Sequence, residues 1–140
     1  MKIYFGASIR GGRSDIKIYQ ELIHALKSYG TVLTEHIADS NLSNKGEKSL
    51  TDQEIHDRDI QWLMEADCMV AEVTTPSLGV GYEIRAALET NKPIFCLFRT
   101  GKGNKLSAMI AGNGKIVTEQ YKEIEDAKAR LAEFFKGFGH

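Results

Sequence analysis

Short apolar, β-branched runs alternate along this chain with segments of helical periodicity, and that alternation restricts the fold more than any other feature. Lys2-Ile3-Tyr4-Phe5-Gly6-Ala7 reads as a first strand, apolar almost throughout, as a central parallel strand covered on both faces should be. A helix is expected over 15–28, with Ile16, Tyr19, Ile23 and Leu26 at helical spacing and Gly30 after it. Thr31 to His36 is a second strand. Residues 37–50 have no firm periodicity and read as a loop or weak helix, in the position of a lid. Thr51 and Glu54 have capping-box spacing and open a helix to about Ala66. Cys68 to Val73 and Ile94 to Phe98 are the third and fourth strands, and Lys115 to Thr118 is a weaker fifth. A short helix over 106–110 and a closing one over 121–135 complete the pattern. Strands and helices in this order predict a doubly wound, five-stranded parallel sheet with helices on both faces.

At 140 residues the chain makes one domain, 1–140, with a single sizeable core. A net charge of −1 argues against a surface built for a nucleic acid polymer, although a small phosphate ligand needs only a local site. Cys68 and Cys96 both lie in strand-like runs, which suits buried thiols in a reducing compartment. No leader-like segment opens the chain and no run has the length to span a membrane, so a cytoplasmic protein is expected.

The third strand runs into Thr74-Thr-Pro-Ser-Leu-Gly-Val-Gly-Tyr-Glu83, a strand-to-helix turn in which Pro76 stops the strand and Ser77 can cap the helix. Gly79 and Gly81 lower helix propensity, which suggests that something packs closely against them. Glu83 comes within two turns of the helix start. In open α/β sheets the ligand crevice lies outside the carboxyl ends of the strands, so Glu83 is a candidate for chemistry there. It is equally readable as an acid favoured by the helix dipole.

Other residues carry similar pairs of readings. Ser8, Arg10, Gly11, Gly12 and Ser14 lie between strand and helix, where backbone N–H groups favour an anion and Arg10 adds a charge-assisted contact. The pattern is neither a P-loop nor a G-x-G-x-x-G fingerprint, which disfavours ATP and NAD; a plain glycine turn is the alternative. Asp59 falls on the apolar stripe of Ile55, Trp62, Leu63 and Ala66, either as a proton-transfer acid or as a structural hydrogen-bonding group. Tyr4 reaches the crevice floor or packs in the core. Glu72 rivals Glu83, though its place before the turn favours a structural role. His24, His36, His56 and His140 lack metal-ligand spacing, and neither a metal nor a cofactor is expected. Two carboxylates beside a phosphate loop suit cleavage of a glycosidic bond.

The strings Tyr4-Phe-Gly-Ala-Ser-Ile-Arg-Gly-Gly-Arg13, Gly30-Thr-Val-Leu-Thr-Glu-His36 and Pro76-Ser-Leu-Gly-Val-Gly-Tyr-Glu83 closely resemble the 2′-deoxynucleoside 5′-monophosphate N-hydrolases of the Rcl type. Ile55-His56, Asp59, Cys96-Leu-Phe-Arg99 and Leu106-Ser-Ala-Met-Ile110 continue the likeness over nearly the whole chain. The resemblance implies a flavodoxin- or Rossmann-like three-layer sandwich of the nucleoside 2-deoxyribosyltransferase superfamily. It implies Glu83 as the nucleophile toward C1′, Asp59 as a second catalytic acid and Tyr4 as the residue that positions the nucleophile. It implies substrate contacts from Ser8, Ile9, Arg10, Gly12, Ser77 and Gly79. Ser107 would reach the phosphate held by the neighbouring subunit, which implies a homodimer. Cleavage of ribonucleotides such as cytidine monophosphate, transfer of the sugar to a second base, and a non-catalytic nucleotide-binding module are the alternatives. Ala7, where a glycine is common, and the 37–50 loop depart from the family pattern.

Overall fold

The computed structural model describes residues 1–9, 15–38, 49–101 and 103–138. Five strands form one all-parallel sheet: β1 (Lys2–Ala7), β2 (Thr31–Val32), β3 (Cys68–Glu72), β4 (Ile94–Arg99) and β5 (Ile116–Tyr121). Their order is β2-β1-β3-β4-β5, so the chain reverses direction across the sheet between β1 and β3. Five α-helices connect and cover them: α1 (Ile16–Leu26), α2 (Asp52–Glu65), α3 (Leu78–Glu89), α4 (Ala108–Ala111) and α5 (Ile124–Lys136). The doubly wound five-stranded parallel sheet read from the sequence is the fold observed.

Because side chains alternate across a strand, the sheet divides the core in two. Ile3, Phe5, Cys68, Val70, Phe95 and Leu97 pack on one face with Leu22 and Leu26 of α1 and Leu131 and Phe135 of α5. Tyr4, Met69, Ala71, Ile94 and Cys96 pack on the other with Leu63 of α2 and Val80, Ile84 and Ala87 of α3. Both cysteine thiols are fully buried, and burial pushes each up to about 12. No helix among the described residues is long and apolar enough to cross a membrane.

The second strand is shorter than expected. It ends at Val32 and gives way to a 3₁₀ turn over Glu35–Ala38. Thr34 explains the stop: its Oγ1 accepts from Phe5 N–H at 2.9 Å and donates to Phe5 O at 2.6 Å. A side chain thus occupies the places a further ladder residue would take. The fifth strand is longer than expected, reaching Tyr121 in register with Arg99. Thr51 caps α2 with both bonds of the capping box formed with Glu54. Most of the expected 37–50 lid, residues 39–48, lies outside the described residues.

Candidate active site

The turn after β3 supplies one wall of the site. Ser77 caps α3, its Oγ accepting from Val80 N–H at 3.3 Å, and the helix then carries Glu83 back over the sheet. Tyr4 rises from the buried middle of β1 on the same face, 1% exposed, and its hydroxyl donates a short hydrogen bond to Glu83 Oε2. The pair bridges β1 and the helix after β3, where the order of the strands reverses and a crevice opens in folds of this type.

Burial is the main influence on both groups. It raises the Glu83 carboxyl from 4.5 to about 7; the Tyr4 hydrogen bond opposes this and the Asp59 carboxylate adds to it. Burial, with the charges of Glu83 and Asp59, drives Tyr4 far above the ordinary phenol value. Tyr4 is therefore a fixed donor, and Glu83 is a carboxyl poised to change charge near neutrality.

Asp59 sits on α2 and faces this pair closely enough to act on both electrostatically. Its Oδ1 accepts from Arg58 Nε at 3.0 Å and from Arg58 Nη2 at 2.9 Å, with both side chains mostly out of water. The guanidinium lies 4.7 Å above the Trp62 ring, and its Nη2 is 3.3 Å from His36 Nε2. The His36 and Trp62 rings stand 5.6 Å apart. A cationic and aromatic wall thus flanks the carboxylates.

Three of the sequence candidates, Tyr4, Asp59 and Glu83, come together. Ser8 is fully buried at the end of β1 and Ile9 is half-buried beside it. Arg10 and Gly12 lie outside the described residues. Ser107 caps the short α4, accepting from Met109 N–H at 3.2 Å. With Ser77 it lines a largely apolar groove of about 600 Å³ between α3 and α4 that includes neither Tyr4 nor Glu83. Glu72 points into the opposite core face, where it accepts from Thr74 N–H at 2.7 Å, from Thr74 Oγ1 at 2.8 Å and from the Tyr121 hydroxyl. Among the described residues no cluster of three or more His, Cys, Asp or Glu forms a metal site.

Gly79 and Gly81 are not explained by packing within the described chain. A Cβ on Gly79 would meet only Ser77 Oγ, at 3.8 Å, and one on Gly81 would meet nothing within 4 Å, so no described part of the chain packs against them. The close approach is at Gly6 instead. A Cβ there would lie 3.0 Å from Met69 Cε and 3.5 Å from Glu83 Oε1. Sequence reasoning passed over Gly6, although a glycine inside a central strand is itself a signal of close approach. Arg58 was missed as well; its only signal was adjacency to Asp59.

Residues 3–126 match the profile of the family described as nucleoside 2-deoxyribosyltransferase. The chain is 50% identical to the 5-hydroxymethyl-dUMP N-hydrolase of Esox lucius, over 98% of this chain and 97% of the relative. It is 51% identical to the enzyme of the same name from Danio rerio, over 97% and 96%. Among solved structures, the CMP N-glycosidase of Clostridium botulinum superposes with a TM-score of 0.71, covering 96% of this chain and 99% of that one at 17% identity, a likeness of fold. A profile match over most of the sequence, joined to full-length identity of this level, establishes that the chain belongs to the nucleoside 2-deoxyribosyltransferase family.

Proposed function

We propose that the chain hydrolyses the N-glycosidic bond of 2′-deoxynucleoside 5′-monophosphates, giving free base and 2-deoxyribose 5-phosphate. The observation that carries this reading is the hydrogen-bonded, largely buried Tyr4–Glu83 pair, with Asp59 close enough to act on both. Glu83, ionised, attacks C1′ through an oxocarbenium-like transition state, and the electron pair of the C1′–N bond leaves with the base. Asp59 delivers a proton to the departing base. Left as a carboxylate, it then takes a proton from the water that displaces Glu83 from C1′. Two displacements give overall retention. A sugar without a 2′-hydroxyl lowers the barrier, because that group withdraws electrons from the developing cation. Ser8, Ile9, Arg10, Gly12, Ser77 and Gly79 are the proposed substrate contacts. The phosphate held by the serines and Arg10 supplies binding energy remote from C1′ that is used there for orientation.

The test is base release from a panel of ribo- and deoxyribonucleoside 5′-monophosphates, with 5-hydroxymethyl-dUMP, the substrate in its relatives' names, included. Release from deoxynucleoside monophosphates in preference to ribonucleotides supports the proposal; binding without release overturns it. The family's description favours sugar transfer as a second reading. An added acceptor base that is converted to a new nucleotide at the expense of free sugar phosphate would establish it.

Tyr4 provides a sharper check. Its hydrogen bond holds the Glu83 carboxyl below where burial alone would leave it. Tyr4→Phe should therefore move the acid limb of kcat/KM upward from near pH 7. Each unit of movement cuts the ionised fraction below the limb about tenfold. A limb that stays in place while activity falls would mean that Tyr4 acts on the substrate and not on Glu83.

A further inference from the structure

Asp15 is the N-cap residue of α1, yet its side chain makes no capping bond to that helix. An aspartate in this position ordinarily accepts from the first helical N–H groups. Here Oδ1 accepts from Arg99 Nη2 at 2.6 Å, and the two side chains are 7% and 16% exposed.

Arg99 ends β4 and is itself held. Its backbone N–H donates to Thr74 Oγ1 at 2.8 Å, and Thr74 is bonded through N–H and Oγ1 to the buried Glu72, which also accepts from Tyr121. The carbonyl of Thr74 accepts from Asn104 Nδ2 at 3.3 Å. One polar cluster thus joins the ends of β3, β4 and β5 to the start of α1, and none of these groups takes part in the chemistry proposed above.

The cluster holds both connections that lead to the site. The one from β1 to α1 is fixed at its beginning by the β1–β3 ladder, where Ala7 pairs with Glu72, and at its end by Asp15 on Arg99. The one from β3 to α3 leads through Ser77 to Glu83 and is fixed by Thr74 on the Arg99 backbone. Arg99 touches both, by side chain on Asp15 and by main chain on Thr74. Its Nε–H is buried without a partner among the described residues. That is a cost a compact ammonium would avoid, and the planar guanidinium offers in exchange a fixed direction toward Asp15.

We propose that Arg99, through Asp15, is a positioning residue that holds the end of β1 at Ser8 and the turn at Ser77 in the arrangement that takes a 5′-phosphate. The proposal rests on the reading that those serines take that phosphate. The experiment compares Arg99→Gln, Arg99→Lys and Asp15→Asn with the wild type on a deoxynucleoside 5′-monophosphate and on the matching nucleoside. Arg99→Gln and Asp15→Asn should each raise KM for the monophosphate by about tenfold or more, with a much smaller change in kcat. Neither should alter kcat/KM for the nucleoside by more than about twofold, and Arg99→Lys should recover part of the loss in KM. Equal losses on both substrates, a loss confined to kcat, or no change at all would overturn the proposal. If Arg99→Gln fails to fold, Asp15→Asn reads the same quantity, because amide for carboxylate preserves shape. A wild-type enzyme indifferent to the phosphate would instead sink the phosphate reading itself, and the proposal with it.

Discussion

Glu83→Gln is expected to yield a folded protein that has lost nearly all turnover and gained stability above neutral pH. The amide cannot attack C1′ but can still accept from Tyr4, so the local packing survives. Rapid quenching of the wild type during turnover should trap a sugar-phosphate ester on Glu83. An ester on another residue, or a fully active variant, would overturn the assignment. The gain in stability follows from the raised carboxyl. Its folded value, about 7, lies above the ordinary 4.5, so the folded state binds the proton more tightly than the unfolded chain. Below pH 4.5 both states hold the proton and no penalty arises. Between 4.5 and 7 the penalty grows, and above 7 it is complete, about 3 kcal/mol from a difference of roughly 2.5 units. Glutamine carries no such penalty. Denaturant melts should therefore separate variant from wild type at pH 8 and bring them together near pH 4.5. Parallel curves at both values would mean that burial of the charge is not what raises the carboxyl.

A second large effect is expected from mixing two impaired variants. Ser107 and Ser77 line a groove apart from Tyr4 and Glu83, with Leu78 and Met109 standing 97% and 81% exposed at its margin. Apolar side chains so exposed, beside glycines that no described residue covers, suit a surface completed by a second copy of the chain. If Ser107 of one copy serves the phosphate bound by the other, each site of a two-fold dimer joins Glu83 of one chain to Ser107 of its partner. A heterodimer of Glu83→Gln and Ser107→Ala then has one site with both lesions and one with neither. Random exchange makes about half the dimers mixed, so about a quarter of all sites should be intact. Activity should rise above the mean of the two parents as subunits exchange. Confirmed exchange without a rise would mean that one chain builds the whole site.

The fold was legible because burial on both faces writes strands as continuous apolar runs, and three of the five, β1, β3 and β4, are of that kind. The error over 33–36 came from a side chain imitating a strand: Thr34 satisfies Phe5 through its hydroxyl, which no periodicity encodes. Asp59 and Glu83 could be nominated because each is out of character locally, an acid on an apolar stripe or after a glycine turn, whereas Tyr4 fits its strand and was singled out by position and by the resemblance. That Tyr4 and Glu83 bond each other depends on the β1–β3 pairing, a contact between residues 79 positions apart. Arg58 and Arg99 were invisible for the opposite reason. A charged residue at a helix surface or a strand end is ordinary, and only the partner that buries it makes it informative.

The brevity of β2 has a consequence for how this molecule meets others. A long, regular edge strand displays unpaired N–H and C=O groups to any passing chain and invites a new strand to add to the sheet. Here that edge is two residues long, and beyond it a threonine hydroxyl answers the groups of β1 that a longer strand would have paired. An incoming strand finds almost no ladder to extend beside the strand that carries Tyr4. The sheet is thereby guarded against edge-to-edge aggregation on the flank nearest its chemistry, and its longer edge, the six residues of β5, lies on the far side.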